Sequence, residues 1–68
     1  MNRILIQLKN NIAFDFYGEY LPERQTNNWH YYKMVEDKNR KKLDEEKILH
    51  IKKDQMICVI EGENEKNY

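Results

Sequence analysis

Three side chains of the kind that hold metals or act as nucleophiles stand out: His30, His50 and Cys58. No two of them have the tight spacing of a zinc motif such as Cys-x-x-Cys or His-x-x-x-His. Cys58 lies between Ile57 and Val59 in an apolar run, a setting that favours a buried core thiol over a reactive one. Serine is absent and Thr26 is the only threonine, so hydroxyl nucleophiles are nearly lacking. Gly18 and Gly62 are too far apart to form a phosphate-cradling loop. Asp15 and Glu19 are the one carboxylate pair worth weighing, and such acids on the polar face of a strand are ordinarily just solvated. The expectation is no enzyme, no metal and no cofactor.

One stretch carries binding chemistry. Arg24-Gln25-Thr26-Asn27-Asn28 brings forked and amide hydrogen-bonders, and Trp29-His30-Tyr31-Tyr32-Lys33 follows with four rings and a cation. Aromatic faces stack nucleobases, Arg suits phosphate, and Asn or Gln can pair with base edges. If Trp29 and Tyr31 pack inward, strand alternation turns His30 and Tyr32 outward, next to the loop. The ligand site expected on that basis is Arg24, Asn28, His30 and Tyr32. The competing reading is that the aromatics are core, or that an exposed tyrosine-rich face meets another subunit. Lys38, Arg40, Lys41 and Lys42 form a basic run, but Asp44, Glu45 and Glu46 answer it at once, so a solvated turn is expected there.

The elements that position these residues read as mainly β. Ile4 to Leu8 is a short apolar strand ending in Asn10-Asn11, which suits a two-residue hairpin turn. Ile12 to Tyr20 alternates, with Ile12, Phe14 and Phe16 on one face, and Gly18 marks a bulge or bend. Leu21 to Asn28, containing Pro22, is a loop, and Trp29 to Glu36 is a third strand. Asp37 to Glu46 reads as a charged linker. Its strong helix formers leave a short helix over about Asn39 to Lys47 as the alternative. Ile48, Leu49 and Ile51 precede a turn at Lys53-Asp54 and a last strand from Gln55 to Glu61. The predicted fold is a small five-stranded SH3-like or open barrel, or an antiparallel sheet. It forms one domain over residues 1–61 with a disordered tail at 62–68.

Size and charge narrow the function. With 68 residues the chain folds on a small margin, and a single cysteine excludes an intrachain disulfide. Ile4 to Leu8 and Met56 to Ile60 carry apolar groups toward both sheet faces, so a homo-oligomer is expected. Twelve basic and twelve acidic residues cancel, which argues against a protein that wraps many phosphates. No apolar run approaches the ~20 residues of a membrane span, so a soluble, cytoplasmic protein with no membrane partner is expected.

In size and style, this short Lys/Asn/Ile-rich β chain with one aromatic-rich strand resembles the small phage-encoded counter-defence proteins. Among these are viral sponge proteins that sequester cyclic nucleotide signals. The resemblance implies a non-enzymatic oligomer in the host-cell cytoplasm, with a small nucleotide ligand held between subunits. It carries no motif, and no site residue is transferred by it. The alternatives are direct inhibition of a host protein target, as in anti-CRISPR-like proteins, or an SH3-like regulator that binds single-stranded nucleic acid.

Overall fold

Apolar periodicity of two along the chain calls for strands, and strands are what form. The computed structural model describes residues 1–62 in full and the backbone of Asn64–Asn67. The described residues form β1 (Asn2–Leu8), β2 (Ala13–Tyr20), β3 (Trp29–Asp37), β4 (Lys42–Lys52), β5 (Met56–Glu61) and β6 (Asn64–Asn67). All pairings are antiparallel, and the sheet order is β4-β3-β2-β1-β5-β6. No helix among the described residues is long and apolar enough to cross a membrane.

This order forces the sheet to curl. In a flat sheet β4 and β5 would lie four strand spacings apart, about 19 Å. They are joined only by a 3-10 turn, Lys53–Gln55. The step from Lys52 to Met56 reaches at most about 14 Å even when fully extended. The sheet therefore rolls until β4 and β5 approach each other at this turn, with β6 continuing beyond β5 as the far edge. The Lys53 amide donates to the Asn28 carbonyl and the Lys9 amide to the Gln55 carbonyl, both at 2.8 Å. The result is one small, curled antiparallel sheet, with overall extents of 30 × 21 × 21 Å.

The interior holds Ile4, Ile6 and Leu8 of β1, Phe16 of β2, Tyr32 of β3, Ile51 of β4, and Met56 and Val59 of β5. Phe14, Tyr20, Met34 and Leu49 pack against them. Each fully buried aliphatic or aromatic side chain contributes roughly 1.5–3 kcal/mol. Because one sheet encloses one core, each stretch of strand between bulges has a single inward phase.

Bulges set that phase. Tyr17 pairs with Glu36 but Gly18 with Met34, so Val35 is an extra residue on β3. Gly18 sits where the strands pinch: a Cβ there would lie 1.8 Å from the Lys33 carbonyl oxygen. The glycine is thus required by close approach, as its position in the alternating segment suggested. A second shift, between Gln7 and Leu8, leaves Ile57 as the extra residue on β5 and 46% exposed. The flanking Val59 is fully buried.

Several expectations are corrected here. The β1–β2 connection has four residues, Lys9 to Ile12, instead of two. The Asn11 amide donates to the Leu8 carbonyl, and Asn11 takes the positive φ of 66° that closes such a loop. The β3–β4 connection repeats the device with Arg40 at φ 65°, the guanidinium lying 4.7 Å over the Tyr17 ring. No helix forms over 39–47, and the charged segment is no linker, since β4 begins at Lys42. Side-chain pairs on a helix contribute only ~0.2–0.5 kcal/mol each, which does not outweigh pairing with β3. Between Met34↔Lys47 and Glu36↔Lys42, β3 advances two residues while β4 advances five, so the acidic stretch loops outward at the sheet edge. Of the tail expected to be disordered, Asn64–Asn67 runs as a strand against β5, and Glu63 and Tyr68 lie outside the described residues.

Candidate functional site

The inward phase of β3 is the reverse of the sequence expectation. His30 and Tyr32 are buried, at 5% and 1% exposure, while Trp29 and Tyr31 turn outward. The reason lies on the neighbouring strands. His30 faces Ile51, and Tyr32 faces Leu49 on one side and Tyr20 on the other. Leu49 and Ile51 are the apolar phase of β4, whereas Lys52 and His50 are its polar phase. Pairing carries His30 and Tyr32 inward with the apolar phase.

Burial of His30 is compensated by a hydrogen bond, as a polar core group requires. Its Nδ1 lies 2.8 Å from the Tyr20 hydroxyl, which donates to Gln25 Oε1 at 3.0 Å. With the Tyr20 proton directed to Gln25, His30 donates through Nδ1–H. The Tyr20 ring also packs against His30 and Tyr32, with centroids 5.4 and 5.1 Å apart, and Phe16 meets Tyr32 edge-on at 6.3 Å. Two of the four expected ligand residues are therefore structural. Arg24 and Asn28 are exposed on the loop as expected, Arg24 within a 3-10 turn at Pro22–Arg24.

The outward face of β3 and β4 carries a different constellation. Cross-strand pairing sets Trp29 opposite Lys52, Tyr31 opposite His50 and Lys33 opposite Ile48. The His50 ring lies 5.3 Å from Trp29 at 64° and 6.3 Å from Tyr31 at 41°. Three rings thus share one solvent-facing surface with cations at its two ends. Lys33 Nζ is 3.0 Å from Glu46 Oε2, and this hydrogen bond raises the lysine above its ordinary value. The loop holds the surface in place. Thr26 Oγ1 accepts from the amides of Asn28 and Trp29 at 3.3 and 3.1 Å, and the Thr26 amide donates to the Trp29 carbonyl. The Leu21 amide donates to the Tyr31 carbonyl, anchoring the turn that bears Arg24.

His50 was missed in the sequence because it was weighed only as a metal ligand. The alternation of Ile48, His50 and Lys52 against Leu49 and Ile51 was the signal that could have placed it. Among the described residues no group of three or more metal-binding side chains assembles.

The opposite flank bears an apolar groove of about 310 Å³ lined by Leu5, Gln7, Ala13, Cys58 and Ile60, with Ile6 and Phe14 at its floor. Cys58 belongs to this outer groove and is half-buried, not the core residue its neighbours suggested. The fully buried Val59 takes the inward position. Near the groove, Arg3 clasps Asp15 with two hydrogen bonds of 3.2 and 2.9 Å, and this holds the Asp15 carboxyl below its ordinary value.

Comparisons with family models, with curated proteins and with solved structures find no match.

Proposed function

We propose that this chain is a non-enzymatic binding protein that holds a nucleobase-bearing ligand on the outer face of β3 and β4. The observation that carries this reading is the outward-facing row of half-buried Trp29 and Tyr31 with the exposed His50 against both, and Lys52 and Lys33 at its ends. Trp29 and Tyr31 lie outside the filled core and keep part of their ring surface in solvent. Stacking on such rings contributes ~1–3 kcal/mol per base, and flanking ammonium groups suit the attached phosphate. Arg24 and Asn28 remain candidate contributors from the adjacent loop, while His30 and Tyr32 support the face from within.

Size and composition suggest phage counter-defence, by sequestration of a nucleotide signal, as the biological setting of this reading. Self-association belongs to the same proposal. A 68-residue chain buries little apolar surface alone, and the Leu5–Cys58–Ile60 groove leaves apolar side chains uncovered. Sedimentation showing only a well-folded monomer at tens of micromolar would remove the oligomer from the proposal.

The sole tryptophan supplies the test. Titration with purine and pyrimidine mononucleotides is expected to quench Trp29 fluorescence, and Trp29→Ala should abolish binding measured by calorimetry. Neither nucleotides nor oligonucleotides perturbing Trp29 would overturn the assignment. Inhibition of a host protein target would then be the better account of this face.

A further inference from the structure

We infer that the ligand of this face is single-stranded nucleic acid gripped by two successive bases, in preference to an isolated nucleotide. This rests on the nucleobase reading above and specifies the ligand class. Trp29 and Tyr31 are separated by one two-residue step on β3, about 6.8 Å. That is twice the ~3.4 Å rise of stacked bases, so one base covers one ring and the second ring needs a second base. Bases so far apart must be unstacked from each other, a state that single strands adopt and duplexes do not.

His50 ties the two platforms together. It is paired with Tyr31 across the strands and touches the Trp29 ring as well, so it lies between the two base positions. The cations lie where the backbone would pass. Lys52 is level with Trp29, and Lys33 is one step beyond Tyr31, with Glu46 already holding its ammonium.

Shape points the same way. Pockets for isolated small ligands are concave and bury most of the ligand. The aromatic face is instead a strip along two strands, which a polymer can follow past both ends. The balanced charge of the chain fits a ligand gripped mainly by stacking, with few phosphates neutralised.

The test uses oligothymidylates of one, two, three and six nucleotides and a blunt duplex, with Trp29 fluorescence and calorimetry on the full chain. Affinity is expected to rise about 5–150-fold from one nucleotide to two, the equivalent of one added stacked base, and to level off thereafter. The duplex should bind far more weakly than the six-nucleotide single strand. With Lys33 already paired to Glu46, one phosphate is neutralised by Lys52, so the slope of log affinity against log salt should be about −0.7, and Lys52→Ala should largely remove it. Tyr31→Ala, confirmed folded by its amide spectrum, should remove the gain from the second nucleotide while leaving mononucleotide binding on Trp29. Equal affinity for one nucleotide and six would overturn this inference and leave the nucleobase reading intact. Absence of binding by every probe would overturn both. Duplex binding as tight as single-strand binding would overturn the two-base grip alone.

Discussion

Two sets of aromatic rings alternate along a single strand, and they do opposite things. His30 and Tyr32 point into the core, where Tyr20 and Phe16 close around them. Trp29 and Tyr31 point out and are bridged by His50. Residue type does not separate the sets, since each holds a tyrosine. The inner set is locked by close packing and a hydrogen-bonded chain to Gln25, so it supplies stability. The outer set is held by backbone pairing and by Thr26 and stays half-buried, with part of each ring in solvent. Adjacent residues on one strand can thus divide support from recognition, because each step reverses the side-chain direction.

The largest effect should come from the inside. Tyr32→Ala removes a side chain 1% exposed and should cost roughly 3–5 kcal/mol, enough to unfold a domain of this size in urea titration. Trp29→Ala, one face away, should keep the cooperative transition and lose about 1 kcal/mol, mainly its contact with His50. Equal losses at the two positions would collapse the distinction between the sets.

Gly18→Ala attacks what keeps the sets apart. Its methyl group meets the Lys33 carbonyl, so the β2–β3 register must shift, at a cost of roughly 1–3 kcal/mol. Amide exchange should quicken first around Lys33 and Met34. A variant as stable as the parent would show that the pinch does not set the phase of β3.

His30→Ala should cost roughly 1–3 kcal/mol, because the Tyr20 hydroxyl loses a partner within the core. His50→Ala should leave stability nearly unchanged and weaken ligand binding. Reversal of these two outcomes would exchange the roles of the histidines.

The smallest effect lies on the far flank. The Arg3 guanidinium holds the Asp15 carboxyl below its ordinary 3.8, chiefly by hydrogen bonding. A lowered carboxylate adds stability that is fully present above that ordinary value and is lost as pH falls through the folded-state midpoint. Arg3 is half-exposed and Asp15 is in part open to solvent, so screening should keep the effect on the unfolding curve slight. A carbon-13 titration should show Asp15 protonating late, and Arg3→Ala should restore the ordinary midpoint.

Much of the architecture is legible in local pattern. The alternation of Phe14 and Phe16, the apolar runs at Ile4 to Leu8 and Met56 to Ile60, and the turn residues around Asn11 each report on a few neighbours. That is why the strands and the mainly β, antiparallel class follow from the chain alone. The charged segment was harder to read, because Lys42 to Glu46 prefers a helix in isolation and becomes a strand only when β3 offers its edge. The candidate site was half legible: the stretch from Arg24 to Lys33 stands out in the sequence, but the structure turns His30 and Tyr32 inward and Trp29 and Tyr31 outward.

Composition and periodicity were enough to establish that β3 has two faces and that both carry rings. Which face turns inward was decided by partners distant in sequence. Leu49 and Ile51 bring His30 and Tyr32 into the core, and the bulge at Val35 opposite Gly18 resets the alternation partway along the strand. A period-two pattern is unchanged when the strand is turned over, so only cross-strand register could break that symmetry. His50 enters the site for the same reason. It lies nineteen residues beyond Tyr31, and only the antiparallel pairing of β3 with β4 sets the two side by side.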